Sequence, residues 1–417
     1  MRYAIMGATV QQVKSVGGTD IREARRTGII FATLNLEQAN RLHALGCKVS
    51  QVGKVKTEVM PPTPVAGAPT YSPEALVQTA GYEELRAVMV PPLYGEGFTA
   101  AVIDSGIRET HSKIAGRVIY SKNFTSTPMR DGLNHGTGVA SIIVAAAPLS
   151  NLLNMKVLDD EGVGTEEDVV MAIDECIDLQ DIDPAIAPSV INLSLGSPDD
   201  GNPDNPLRVA CRAAIEKGIW IEASAGNDGP RPETITCPAC EKYVYATGSL
   251  KLDPFSVSDF SSRGPTKEGL TKPDVMAFGE DIELASSVSD TATIAKSGTS
   301  FATPFHTGAA LLFHEGTLRY GGVVYGGEVP ISLPTEMMEF LTPSELIDTW
   351  LGYICAKPTG VPPGKDNDYG YGLLYAPLVA KALGVRAAIP IDIGLITPII
   401  GLAMVGMLMS TMMKGVR

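Results

Sequence analysis

The clearest indication of the fold of this chain is AAVIDSG at residues 100–106, because an uninterrupted apolar run ends there in polar residues. Residues 98–103 form that run, as expected for a parallel strand buried on both faces of a sheet. Asp104 ends the run, and Gly106 allows a turn. Sites in open α/β sheets lie at the carboxyl ends of strands, so Asp104 is a candidate functional residue. Taken alone, this residue is explained as a turn cap.

Similar apolar runs recur on the carboxyl side of this stretch, and helical patterns lie between them. The runs cover residues 152–158, 190–193, 218–223 and 243–248. The helical patterns cover residues 135–146, 165–176, 206–217 and 299–313. Alternation of this kind predicts an α/β fold, a doubly wound parallel sheet with helices on both faces. We assign this domain to residues 75–385.

The amino-terminal part has a different pattern. Strand patterns at residues 3–8, 28–34 and 47–55 alternate with helical patterns at residues 20–26 and 36–45. Residues 1–60 are therefore predicted to form a small α+β unit of ferredoxin-like type. Residues 61–74 are rich in proline and lack periodicity, which indicates an exposed linker that is easily cut.

The chain has 417 residues, 44% of them hydrophobic and 19% charged, and its formal net charge is −14. This composition supports a large core, and the negative charge argues against a nucleic acid partner. The acidity is explained either by solubility or by loops that bind Ca²⁺. The six cysteines are scattered. For Cys237 and Cys240, a local disulfide or two unpaired thiols are both better explanations than a metal site.

The carboxyl-terminal part carries a candidate membrane span. Residues 393–413 contain no charged side chain, and Lys414 and Arg417 follow them. We predict a transmembrane helix at residues 390–413 with a basic tail at residues 414–417. A buried or oligomerising helix is the alternative. Residues 1–10 do not have the pattern of a signal peptide.

Three more polar residues lie at predicted strand ends or helix starts. His135 begins a helical pattern of small residues, Asn227 follows the run at 218–223, and Ser300 begins the pattern at 299–313. An Asn amide at a strand end can donate to a developing oxyanion, and a helix start favours a negative oxygen. Individually, the three are also explained as a helix cap, a Gly-Asn turn and an N-cap serine.

Together, the four residues supply an orienting acid, a base, an amide donor and a nucleophile. They occur in the order Asp, His, Asn, Ser. An α/β-hydrolase esterase or lipase has the order Ser, Asp, His and a GxSxG motif, and Ser300 lies in Thr-Ser-Phe instead. The order therefore argues against that class.

The chain resembles the subtilase family of serine proteases in eight segments that occur in order. They are VIDSGI (102–107), HGTGVAS (135–141), NLSLGS (192–197), ASAGNDGP (223–230), FSSRGP (260–265), KPDVMAFGEDI (272–282), SGTSFATPFHTGAA (297–310) and DYGYGLLYA (368–376). The resemblance covers about residues 75–385. It implies a serine endopeptidase, and residues 1–60 resemble the family's propeptide of the inhibitor I9 type. A non-enzymatic protein on the same fold is the alternative.

The resemblance also implies roles for individual residues. The implied triad is Asp104, His135 and Ser300, and the implied oxyanion hole is Asn227 with the backbone N–H of Ser300. The implied substrate-binding residues are Ser194, Leu195, Gly196, Ala225 and Gly226.

The expected partners are polypeptide substrates, the chain's own propeptide as inhibitor, and a membrane through the carboxyl-terminal helix. Self-cleavage is expected within residues 60–72. No cofactor is required for the chemistry, and structural Ca²⁺ is an expectation from the family alone. Secretion is usual in the family, so we expect a membrane-anchored protein with an extracytoplasmic catalytic domain.

Overall fold

The computed structural model describes residues 1–57, 70–89, 91–320, 355–358 and 360–375. The predicted transmembrane helix at residues 390–413, the basic tail at residues 414–417 and most of the predicted linker lie outside these ranges. Within the described ranges, no helix is long and apolar enough to cross a bilayer.

The amino-terminal unit is an antiparallel sheet with two helices. In chain order its elements are β1 (Arg2–Met6), α1 (Val10–Ser15), β2 (Thr19–Ala24), β3 (Ile29–Thr33), α2 (Leu36–Ala44) and β4 (Lys48–Gln51), followed by β5 (Lys54–Thr57). The sheet order is β2-β3-β1-β4. Both helices begin with a capping box, in which Thr9 exchanges hydrogen bonds with Gln12 and Asn35 with Gln38. The capping boxes fix where the helices start.

The helix predicted at residues 20–26 is wrong, because β2 occupies most of that stretch. Arg22 lies opposite Phe31 of β3, and Glu23 lies opposite Ile30, so the backbone groups are satisfied by a neighbouring strand. The side chain of Arg22 also reaches Glu167 in the second unit. Tertiary pairing of this kind overrides the helical preference of a short charged segment.

The second unit contains the remaining elements. They are α3 (Pro73–Thr79), α4 (Tyr82–Val88), β6 (Thr99–Asp104), β7 (Val118–Asn123), α5 (Gly136–Ala146), β8 (Asn151–Lys156), β9 (Val163–Thr165), α6 (Glu166–Ile182), β10 (Val190–Leu193), β11 (Leu195–Pro198), α7 (Pro206–Glu216), β12 (Trp220–Ser224), β13 (Thr236–Cys237), β14 (Tyr245–Lys251), β15 (Ser256–Val257), β16 (Val275–Phe278), β17 (Ile282–Ala285), β18 (Thr293–Lys296), α8 (Thr299–Tyr320), β19 (Cys355–Ala356) and β20 (Leu373–Leu374).

A mostly parallel sheet forms the centre of this unit, in the order β19-β20-β16-β14-β12-β10-β6-β8-β7. Successive residues of β6 point to different cores. Ala100 and Val102 pack in one core with α5 and α8, whereas Ala101 and Ile103 pack in the other with α6 and α7. The predicted mostly parallel sheet covered on both faces is therefore confirmed.

Strand β6 lies where the order of the sheet reverses, with β8 on one side and β10 on the other. A crevice forms at such a switch point, outside the carboxyl ends of the strands. Asp104, the last residue of β6, lies at the carboxyl ends of the parallel strands. Strand β12 ends on the same side of the sheet, shortly before Asn227.

Candidate active site

Asp104 and His135 form a buried pair at the carboxyl end of β6. Oδ1 of Asp104 lies 2.7 Å from Nδ1 of His135, and neither side chain is exposed to solvent. The backbone N–H of Ser105 donates to the same oxygen at 2.6 Å. A carboxylate beside Nδ1 favours a proton on that nitrogen, which leaves Nε2 as the basic nitrogen. Nε2 is buried and has no hydrogen-bond partner within the described residues.

Asp131 positions both members of this pair, and the sequence interpretation missed it. Its carboxylate accepts hydrogen bonds from the backbone N–H of His135 at 3.3 Å and of Thr137 at 3.0 Å. It also accepts from the hydroxyl of Ser105, the residue after Asp104, at 2.9 Å. The only hint in the sequence was an acidic residue shortly before a candidate histidine.

Ser300 is fully buried in the first turn of α8. Its Oγ donates to the carbonyl oxygen of Ser194 at 3.1 Å, and Oγ of Ser194 donates to the carbonyl oxygen of Ser300 at 2.8 Å. The ring of Phe301, the next residue, lies against the ring of His135 with 5.1 Å between centroids. The structure therefore brings Ser300 to the same corner of the sheet as His135.

Asn227 is held against the residue that precedes Ser300. Its Oδ1 accepts from the backbone N–H and from the hydroxyl of Thr299, both at 2.9 Å. Because the oxygen of the amide is fixed in this way, its nitrogen is turned away from Thr299. Fixed amide donors are the groups that stabilise an oxyanion without reorganisation.

The predicted substrate edge is occupied by a strand from the amino-terminal unit. Strand β5 is not part of the amino-terminal sheet. It pairs antiparallel with β11, so that Thr57 lies opposite Leu195 and Lys56 lies opposite Gly196. Ser194 precedes this strand and contacts Ser300, as described above. Three of the predicted substrate-binding residues thus lie where an extended chain is bound.

A second edge was missed by the sequence interpretation. Strand β9 pairs antiparallel with the other side of β5, with Val55 opposite Gly164 and Lys54 opposite Thr165. Val55 is fully buried between the two edges. The run at residues 163–165 is too short to be identified as a strand from its sequence. An extended peptide in this crevice is therefore bound from both sides.

The other two predicted substrate-binding residues lie beside Asn227. The described hydrogen bonds of Ala225 go to Thr247 and Thr236, and the N–H of Gly226 donates to Oγ1 of Thr299. Their described bonds are thus within the second unit and not to β5. Gly226 has φ +117°, and a Cβ there would lie 2.5 Å from the hydroxyl oxygen of Ser262.

The sequence profile of the subtilase family matches residues 95–326. The chain belongs to the subtilase family. It is 33% identical over 254 residues to serine protease AprX of Bacillus subtilis, a stretch that covers 53% of this chain and 57% of the relative. It is 33% identical over 243 residues to subtilisin E of the same species, which covers 54% of this chain and 58% of the relative.

An intracellular serine protease of Paenibacillus polymyxa is 31% identical over 239 residues, which is 53% of this subtilase and 68% of the relative. The match to AprX, the most extensive of the three, spans little more than half of that protein's length.

The six cysteines of this subtilase are buried and unpaired. The disulfide considered for Cys237 and Cys240 is therefore not formed, and hydrogen bonding to Cys240 together with burial raises the pKa of the Cys237 thiol well above its usual range. Within the described residues, no three His, Cys, Asp or Glu side chains are grouped in a way that could hold a metal ion. The expectation of structural Ca²⁺ therefore gains no support from the acidic residues of this part of the chain.

Proposed function

We propose that this subtilase is a serine endopeptidase that cleaves polypeptides through Asp104, His135 and Ser300. The observation that carries the proposal is the buried pair of Asp104 and His135, at 2.7 Å, with the ring of His135 against Phe301, the residue after Ser300 in the first turn of α8. The acid, the base, the nucleophile and the oxyanion donors all come from this chain, and water is the second substrate.

Nε2 of His135 takes the hydroxyl proton of Ser300 as Oγ attacks a peptide carbonyl carbon. Asp104 orients the ring and stabilises the imidazolium that forms. The amide nitrogen of Asn227 and the backbone N–H of Ser300 donate to the oxyanion of the tetrahedral intermediate. His135 then protonates the leaving amine, an acyl-enzyme remains on Ser300, and water releases it by the same steps.

The amino-terminal unit is proposed to be the propeptide that inhibits this site. Support comes from β5, which fills the crevice between β9 and β11 as a substrate would. Side chains add to the contact: Arg2 binds Glu167 through two hydrogen bonds of 2.6 Å, and Lys48 binds Asp204 at 2.6 Å. Self-cleavage within residues 60–72 would separate this unit from the catalytic domain.

The location of the protein is also a proposal. The uncharged residues 393–413 support a membrane anchor. The secretion that is usual in the family supports an extracytoplasmic catalytic domain. Protease added to intact cells tests the topology. An extracytoplasmic domain is digested from the outside, whereas a cytoplasmic domain is protected by the membrane.

Mass spectrometry of the purified chain beside its Ser300→Ala variant tests the enzymatic proposal. Both are incubated with and without a fluorophosphonate probe, which labels an activated serine. The expected result is loss of the amino-terminal unit in the wild-type protein alone, with the probe on Ser300. Equal processing in both proteins would disprove self-cleavage, and an unlabelled, unprocessed wild-type chain without peptidase activity would favour a non-enzymatic homologue.

A further inference from the structure

The loop that presents His135 has an unusual backbone. Asn134 has φ +56°, which few residues other than glycine adopt. Its side chain is held in place, because Oδ1 accepts hydrogen bonds from the hydroxyls of Ser286 at 2.7 Å and Ser287 at 2.9 Å. A loop of this conformation keeps its shape only where its surroundings determine it.

Opposite charges hold the two sides of this loop. The carboxylate of Asp131 accepts from the backbone N–H groups, including that of Leu133 at 3.1 Å. The ammonium group of Lys296 donates to the carbonyl oxygens, to that of Leu133 at 3.1 Å and to that of Asn134 at 2.8 Å. The carbonyl of Asn134 belongs to the peptide bond that joins Asn134 to His135. The cation therefore contacts the backbone immediately before the histidine.

Lys296 is also part of the segment that leads to the nucleophile. It ends β18, and Ser297, Gly298 and Thr299 separate it from Ser300. Its ammonium group therefore connects the strand before Ser300 directly to the loop before His135.

The charge of Lys296 faces the same groups that surround His135. Burial lowers the pKa of Lys296 below its usual value, and the carboxylates of Asp131 and Asp104 oppose this shift only in part. A second cation, Lys156, is buried beneath the site and donates to the carbonyl oxygens of Ser105 and Leu158. Of these two cations, Lys296 is the one whose described hydrogen bonds go to the loop before His135.

We propose that Lys296 is a positioning residue for the reaction: its ammonium group aligns the His135 loop with the Ser300 segment. The proposal rests on the proposed peptidase function. Loss of this alignment lowers the rate at which Ser300 reacts and leaves the binding of a peptide on β11 nearly unchanged.

The test compares Lys296→Met, which removes the donors and the charge, with Lys296→Arg, which keeps both. Lys113→Met is the control, because Lys113 pairs with Glu74 at 3.0 Å away from the site. The rate of fluorophosphonate labelling of Ser300 is measured on the matured proteins, together with kcat and KM for a peptide.

For Lys296→Met we expect a limiting rate about tenfold lower with little change in KM, since the loss is one of alignment. Lys296→Arg keeps the donors and the charge, so it should recover most of the lost rate, and Lys113→Met should match the wild type in both kcat and KM.

An unchanged limiting rate in Lys296→Met, beside an active wild type, would overturn the alignment role, and so would a loss of rate that Lys296→Arg does not recover. If Lys296→Met does not mature, kcat and KM of Lys296→Gln replace its values. Absence of labelling in the wild-type protein would instead contradict the proposed function itself.

Discussion

The carbonyl oxygen of Ser194 accepts a hydrogen bond from Oγ of Ser300, and Oγ of Ser194 returns one to the carbonyl oxygen of Ser300. This reciprocal contact joins the start of the substrate edge to the start of the nucleophile helix. Ser194 comes directly before β11, so the contact fixes the distance between an extended peptide on that edge and the attacking oxygen.

Asn227→Ala should lower kcat and leave KM nearly unchanged, because the amide donates only to the charge that develops in the transition state. Loss of one oxyanion donor lowers kcat about 10²–10³-fold in subtilisin, a member of this family. Steady-state kinetics with a peptide substrate measure the effect. Asn202→Ala, in a loop away from the site, is the control, and a tenfold rise in KM at constant kcat would contradict the assigned role.

Gly226→Ala should destabilise the protein and distort the oxyanion side of the site. The position combines φ +117° with a Cβ only 2.5 Å from Oγ of Ser262. We expect a loss of about 1–3 kcal/mol in the free energy of unfolding from strain at this position. Urea unfolding in a Ser300→Ala background, which prevents self-digestion, measures it.

Gly218→Ala provides the matched control for that change. Gly218 has φ +83°, but no atom lies within 4 Å of the Cβ that would be added. It should therefore show only the cost of the backbone conformation, about 1 kcal/mol. Equal losses in the two variants would show that the contact with Ser262 does not matter.

Glu167→Gln should weaken the binding of the cleaved amino-terminal unit. Glu167 is nearly buried, with 7% of its side chain exposed, and it binds Arg2 through both oxygens. Paired bonds of this kind are stronger than ordinary surface ion pairs, so we expect the inhibition constant to rise roughly five- to fiftyfold.

The inhibition constant is measured by adding the cleaved unit back to the matured enzyme, at low and at high salt. Glu23→Gln is the control, because Glu23 pairs with Arg25 inside the amino-terminal unit and both are exposed. The wild-type pair should lose affinity as salt is added, whereas the Glu167→Gln pair should be less sensitive. Equal salt dependence would argue against the ion pair.

Asp274→Asn should reduce stability at neutral pH and flatten its dependence on acid. Burial raises the pKa of Asp274, but Lys272 at 2.6 Å and Lys365 at 2.5 Å outweigh it and lower the net pKa. A carboxylate with a lowered folded-state pKa stabilises the protein above its unfolded pKa of about 4, and this stability disappears as the pH falls through the folded value.

Removing that carboxylate leaves two ammonium groups without its charge, at an expected cost of about 3–5 kcal/mol at pH 7. Urea unfolding from pH 7 to pH 2, again in a Ser300→Ala background, measures both effects. Asp368→Asn is the control, because Asp368 is half-exposed and forms a surface pair with Arg263. A steep acid dependence that survives in Asp274→Asn would assign it to other groups.

The residues that end buried strands could be predicted from the sequence, because a long apolar run is visible without its neighbours. Asp104 and Asn227 were identified on that basis. The role of Asp131 could not be predicted, since it depends on backbone N–H groups that meet a carboxylate only after the loop has folded. Strand β9 could not be predicted either, because it is a strand only through its pairing with β5. The same holds for β2, where pairing with β3 replaced the expected helix.

Strand β5 belongs to the sheet that it blocks and not to the four-stranded sheet of its own unit. A cut after β5 would therefore leave both sheets intact. Occupation of the crevice by β5 would then depend on a binding equilibrium between two separate chains. Before the cut, a short tether holds the strand at the crevice at an effective concentration in the millimolar range. After it, the occupied fraction depends on the total protein concentration, so dilution alone would raise the specific activity of a freshly matured sample.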